Sequence, residues 1–315
     1  MPRPTNLLVG VDLHHGDRLA TDEWGPVTLA LIDQAVTVAE ATGARITLCG
    51  VLEISEQARR LIEEDVRLHE HTVIDVANAA LERLAQKVRV RGVAAEHIVR
   101  IGRSWEELTR QVLSARHELL LVGTRVRGPA KRMLFGSTAQ KLIRVCPAPV
   151  WVVKPGEVRD IRDIAVATDF SDAAFAALQT AVELVQAVPA RLHVLHALEF
   201  PFEAYLRTSG VSEEEVAKYR ARMEQEAREH MQSHLAQTDA RTLKYGVKME
   251  LVQGTPDAVV PHYIEENDVD LLVIGTHGRS GLSGLLLGNT AERMLPYVHC
   301  SLLAVKPPGF VSPVH

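Results

Sequence analysis

The chain has 315 residues, 46% hydrophobic, 24% charged and 4% aromatic, with a formal net charge of −5. That length suits two domains of ordinary size, and the composition is that of a globular chain. The acidic balance argues against a general nucleic-acid binder, and no apolar run is long enough for a membrane-spanning helix. The opening MPRPTNLLVGVD lacks the pattern of a secretory signal, and Cys49, Cys146 and Cys300 form no C-x-x-C pair. A cytoplasmic setting with idle thiols is the expectation.

In chain order, NLLVGVD is an apolar run stopped by Asp12, as in a buried parallel strand reaching a sheet edge. A helix over about 27–42 and a second strand over about 46–52 follow. A long polar-faced helix carries Val73, Val76, Ala80, Leu84 and Val88 as its apolar stripe. A third strand runs into Gly102, and Ser104 and Glu107 have capping-box spacing for the next helix. A fourth strand, LLLVG, ends at Gly123 and leads through a loop to Gly136-Ser137-Thr138, after which a helix and a strand end in WVVKP.

The same order then begins again. DIAVATD stops at Asp169, a helix covers about 173–188, and a strand covers about 192–198. Ser212 and Glu215 form a second capping box, before a stripe of Val216, Tyr219, Met223 and Ala227. A strand runs into Gly254, and Pro256 suits a first helical position. LLVIG leads to Gly275-Thr-His-Gly278 and, after nine intervening residues, Gly288-Asn289-Thr290. LLAVKP and a PPGFVSPVH tail, expected to fray, close the chain. Gly102 and Gly254, Gly123 and Gly275, Gly136 and Gly288, and Lys154 and Lys306 are all 152 positions apart. Asp12 and Asp169 are 157 apart, so the copies differ by insertions and deletions early on. Alternating strands and helices, twice over, predict two tandem doubly wound parallel-sheet α/β domains over residues 1–155 and 160–308.

In such sheets ligands bind beyond the carboxyl ends of the strands, which places Asp12 and Asp169 beside the glycine loops. Glycine lets backbone approach a phosphate without an intervening Cβ, and Asn289 and Thr290 add side-chain donors where a helix opens. The pattern G-x2-G-x9-G-[ST] in the last βα unit resembles the signature of ATP-binding universal stress proteins. The resemblance covers nearly the whole chain, twice, and LLLGNTAE and CPAPVWVVK resemble the tandem-domain members. It implies a Rossmann-like fold and a cytoplasmic stress-response role. It also implies binding of an adenine nucleotide, ATP (with Mg2+) or ADP, by a sensor or regulator that is not an enzyme. In the second copy it implicates Asp169 and Ala197 for adenosine, and Gly275, Gly278, Gly288, Asn289 and Thr290 for phosphates. In the first copy it implicates Asp12, Val51, Gly123, Gly136, Ser137 and Thr138 as a second site. It further implies that PVWVVK pairs with SLLAVK in an internal pseudodimer. Further association into a homodimer and the protein partner stay open.

Both copies depart from the pattern. Asn289 stands where Ser or Thr is usual, and Val126 puts a stiff, β-branched side chain at the middle glycine position of copy one. Asp17, Asp22 and Glu23 in the first loop would repel phosphates, and the cluster Arg125, Arg127, Lys131 and Arg132 reads as a solvated loop. Copy two is therefore the better nucleotide candidate. The plainer alternatives are that Asp12 and Asp169 cap turns and that the chain is a degenerate scaffold or takes another small ligand. A weak ATP hydrolase has the least support. His193 and His196 lie three apart on a strand and face opposite ways, so they form no metal site, and no G-x-S-x-G, G-x4-G-K-[ST] or H-E-x-x-H motif occurs.

Overall fold

The computed structural model describes residues 4–13, 24–54, 69–124, 135–154, 161–276 and 288–314. It divides into two units: Met1–Asp160 with Ser301–Ala304 and Gly309–His315, and Ile161–Cys300 with Val305–Pro308.

Unit 1 alternates β1 (Asn6–Asp12), α1 (Pro26–Thr42), β2 (Arg45–Leu52), α2 (His69–Val90), β3 (Ala95–Ile101), α3 (Ser104–Ala115), β4 (Leu119–Gly123), α4 (Ser137–Val145) and β5 (Val150–Val153). These strands are parallel in the order β3-β2-β1-β4-β5, so the chain reverses direction across the sheet between β1 and β4. Leu7, Leu8 and Val9, with Leu120, Leu121 and Trp151, are wholly buried, as expected for strands covered on both faces.

Unit 2 repeats the plan with β6 (Asp163–Ala167), α5 (Asp172–Ala187), β7 (Arg191–Leu198), α6 (Glu203–Thr208), α7 (Glu213–Ala236), β8 (Val247–Gln253), α8 (Pro256–Glu266), β9 (Leu271–Gly275) and α9 (Asn289–Met294). Its parallel order is β9-β6-β7-β8, with the reversal between β6 and β9. Strand β10 (Ser301–Val305) pairs antiparallel with β5, Leu302 opposite Val152 and Ala304 opposite Val150, so PVWVVK and SLLAVK do pair. Among the described residues no helix is long and apolar enough to cross a membrane.

Three local expectations need correction. In α2 the buried face is Ala77, Ala80, Leu81, Leu84, Ala85 and Val88, while Val73 and Val76 are exposed, so the stripe is rotated from the one read in sequence. The Ser104–Glu107 capping box does not form, because Ser104 is already helical and its N–H donates to Glu53 Oε1 at 2.7 Å, while Glu107 pairs with Arg110. The Ser212 box does form, with Ser212 Oγ accepting from the Glu215 N–H at 3.3 Å. The tail does not fray throughout: Ser312 and Val314 are buried, and Ser312 Oγ accepts from the Val314 N–H.

A polar cluster lies at the amino edge of unit 2. His193 Nε2 is 2.9 Å from Asp163 Oδ1, and His193 Nδ1 is 2.8 Å from the Tyr263 hydroxyl. Arg191 donates to Asp163 Oδ2 at 2.6 Å. Burial alone would raise the Asp163 carboxyl, but hydrogen bonds and charge from Arg191 and His193 hold it below its usual value.

Unit 1 has no such satisfaction at His117, which is 5% exposed and has no hydrogen-bond partner for either ring nitrogen among the described residues. Burial, reinforced by the charge of Arg45 and opposed by Glu96, pushes its pKa down to about 4 from 6.5. The unfolded chain therefore binds this proton first on acidification. The neutral imidazole's stabilising contribution is complete above about pH 6.5 and is lost as pH falls from there towards 4. His117→Leu should gain melting temperature relative to the parent as pH is lowered from 7.5 to 5, and a constant difference across that range would contradict this.

Gly275 closes β9 against the start of α5. A Cβ there would lie 2.6 Å from the Ala173 carbonyl carbon and 2.8 Å from the Ala174 nitrogen. Backbone cannot step aside as a side chain can, so Gly275→Ala should cost unit 2 about 1–3 kcal/mol in denaturant unfolding.

Candidate functional site

The carboxyl edge of unit 2, at the reversal between β6 and β9, opens into a cavity of about 780 Å³. That volume is of the size that takes a small organic ligand. Asp169, Ala197, Gly275, Gly288, Asn289 and Thr290 all line it. Gly278 and His277 lie outside the described residues, as do the copy-one residues Val126, Asp17, Asp22 and Glu23 and the Arg125–Arg132 cluster.

The first wall is the chain leaving β6. Asp169 Oδ1 accepts from the Ser171 N–H at 3.0 Å and from the Ser171 hydroxyl at 2.6 Å. Ser171 Oγ in turn caps α5, accepting from the Ala174 N–H at 3.2 Å. The carboxylate thus fixes the turn and also faces the cavity. Between them Phe170 takes a left-handed backbone at φ 64°, a costly conformation for an aromatic residue. Its ring is held by His196 at 4.3 Å, with His230 at 5.4 Å and His234 at 5.8 Å set edge to face. His196 Nδ1 is 2.8 Å from the Thr168 carbonyl, so this nitrogen carries the proton and donates. Burial, then the neighbouring His230, holds His234 below the ordinary histidine value, with Asp172 opposing.

The second wall is β7. The Leu195 carbonyl accepts from the Thr168 N–H at 2.9 Å on the β6 side, and the Leu198 carbonyl accepts from the Gly254 N–H at 3.1 Å on the β8 side. Backbone groups alternate sides along a strand. Ala197 therefore turns its N–H and C=O towards β6. The last β6–β7 pair, however, is Ala167 opposite Leu195. Beyond it no β6 residue stands opposite Ala197, and its amide and carbonyl point into the cavity.

Helix α7 supplies the third wall. Val216, Ala227 and Met231 are buried, and Met223 and Ala227 line the cavity, so part of the sequence-read stripe faces this space rather than the core. Arg220 ties α7 to α6, donating to Glu203 Oε2 at 2.7 Å. The last wall is α9 with the start of α8. Gly288 has φ −55° and ψ 138°, which any residue adopts, so glycine here serves its missing side chain rather than its backbone freedom.

Unit 1 places its counterparts differently. Pairing of β1 with β2 continues through Asp12 opposite Val51, and the Leu52 carbonyl accepts from the Gly102 N–H on the β3 side. The Val51 backbone therefore faces β1 and is taken up by it. The extension is stabilised by Leu13, which is buried where a Cβ on Gly50 would collide with it. His196 stands at the sixth position of β7, as Gly50 does in β2, and the residue after the aspartate stacks on it instead of sliding beneath. Gly123 meets Val27 of α1, and Gly136 precedes Ser137 and Thr138 at the start of α4 with φ −58°.

Sequence reasoning missed Phe170, His196, Glu226, His230 and Arg293, all of which line the cavity. Met223 and Ala227 were visible as an apolar stripe, but nothing local distinguishes a core-facing stripe from a cavity-facing one.

A model described as the universal stress protein family matches residues 19–154 and again 160–306. Universal stress protein E of Photorhabdus laumondii is 25% identical over 321 residues, 98% of this chain and 97% of the relative. That of Escherichia coli K12 is 25% identical over 98% of this chain and 96% of its own length. Among solved structures, a putative universal stress protein from Pseudomonas aeruginosa superposes with a TM-score of 0.66 at 21% identity, covering 96% of this chain and 94% of that one. One from Archaeoglobus fulgidus gives 0.65 at 20%, covering 96% and 98%. At such identities these structures speak for the fold alone. The repeated match over both halves, with the same doubly wound strand order in each, means that the chain belongs to the universal stress protein family and carries two of its domains in tandem.

Proposed function

We propose that unit 2 binds an adenine nucleotide and that the protein acts as a cytoplasmic sensor or regulator through the occupancy of this site, not as a catalyst. The observation that carries the reading is the Ala197 backbone, whose donor and acceptor both point into the cavity beyond the last β6 pair. The adenine edge presents an acceptor at N1 and a donor at the 6-amino group. The Ala197 N–H donates to the first and its C=O accepts from the second. Asp169 accepts from the ribose hydroxyls. The phosphates run towards Gly275, Gly288, Asn289 and Thr290, and Gly278 belongs to the same loop in sequence. Mg2+ enters with ATP as its counter-ion, and the lining carboxylates Asp169, Glu199 and Glu226 are oxygen donors of the kind it takes.

Unit 1 is read as the partner domain without this contact, since β1 occupies the edge at Val51. The test is base discrimination. Guanine presents a donor at N1 and an acceptor at O6, so both contacts to Ala197 would be mismatched. Two mispaired buried groups should weaken binding by about 2 kcal/mol or more, roughly thirtyfold. Titration calorimetry should show ATP binding tighter than GTP by at least that factor, and equal affinities would overturn the reading. Ala197→Pro removes the donor on the side where β6 has ended. It should abolish the preference for ATP while circular dichroism keeps its parental form.

A further inference from the structure

The cavity is electrically uneven. Three carboxylates line it, Asp169 at the end of β6, Glu199 after β7 and Glu226 on α7. Arg293 on α9 is the one arginine or lysine among the described lining residues. It sits four residues after Asn289 and three after Thr290, a spacing that puts all three on neighbouring positions of one helical surface. The acidic side and the cationic side are thus built from different elements. An anionic group entering this space is repelled from β6, β7 and α7 and drawn to α9.

Among the described residues Arg293 is not committed to a strong partner. Its Nε is 3.4 Å from Asp257 Oδ2 in the first turn of α8, and the arginine side chain remains 61% exposed. At that distance and exposure the pair is a weak, screened one. A phosphate offers a guanidinium two well-placed oxygens and more charge than a single carboxylate, so it competes favourably for the same fork.

We propose that Arg293 is the phosphate-reading residue of this site. Asp257 holds it at the cavity mouth until a polyphosphate displaces the carboxylate. The inference rests on the nucleotide reading above and adds a specificity determinant to it. Binding of the phosphate tail exchanges the Asp257 contact for a phosphate contact, with no covalent step. Arg293 thereby separates nucleotides from nucleosides, a distinction the Ala197 backbone cannot make.

The experiment compares ATP with adenosine, by calorimetry, on the full-length protein and on Arg293→Gln and Asp257→Asn. Both side chains are partly exposed, and thermal melting checks that the variants stay folded. Arg293→Gln should weaken ATP binding about tenfold or more, the loss of a charge-assisted hydrogen bond, and leave adenosine affinity within twofold. Asp257→Asn should tighten ATP binding severalfold and leave adenosine unmoved. Equal changes for ATP and adenosine, or none for ATP, overturn the role of Arg293 while the adenosine site stands. Failure of the parent protein to bind either ligand overturns the nucleotide reading, and this inference with it.

Discussion

Strand β7 runs on past its neighbour. Its last partner on β6 is Ala167, opposite Leu195, and His196, Ala197 and Leu198 continue with β8 alone on one side. Backbone groups that leave a ladder while still part of a strand must find partners elsewhere or face solvent. Here they face a cavity, and the rest of the site is arranged around that edge. The chain leaving β6 has to turn away early, and it does so through the left-handed Phe170, with Asp169 and Ser171 closing the turn and starting α5. The aromatic ring displaced by that turn is taken up by His196, His230 and His234, which brings the end of α7 over the opening.

The two halves show the same constraint resolved in opposite ways. Where β2 has Gly50, Leu13 packs over it and β1 stays paired as far as Val51. Where β7 has His196, the following chain cannot take that path and stacks Phe170 on the imidazole. The halves thus differ at the sixth position of the second strand, and the pairing of the first strand differs with it. The fold tolerates both arrangements because the buried strands keep the same order in each half.

Much of the fold is legible in the sequence. Apolar runs stopped by carboxylates, strands alternating with helices, and pairs of glycines at one offset lead directly to two parallel sheets, because buried parallel strands admit few other sequences. The Ser212 box and Pro256 marked helix starts correctly, since their signals are local. The Ser104 box failed because Glu53, fifty-one residues away in sequence, supplies the acceptor instead. At the site, Asp169, Gly275 and Gly288 line the cavity as the sequence suggests. Gly275, however, is demanded first by the backbone of α5, a tertiary reason that the loop pattern does not contain. The asymmetry between Val51 and Ala197 was not legible at all. It depends on how far two strands stay paired, and that is settled by the Leu13–Gly50 and Phe170–His196 contacts across the sheet.

If the Ala197 amide is an open strand-edge donor for a ligand while the Val51 amide is locked into β1, the two amides differ in hydrogen exchange. Amide hydrogen exchange, read residue by residue by NMR with and without adenosine, measures that difference. Exchange at Ala197 should be fast in the ligand-free protein and strongly slowed when adenosine is added, with slow exchange at Val51 in both conditions. Slow exchange at Ala197 without ligand, or protection by adenosine at Val51 instead, would contradict it.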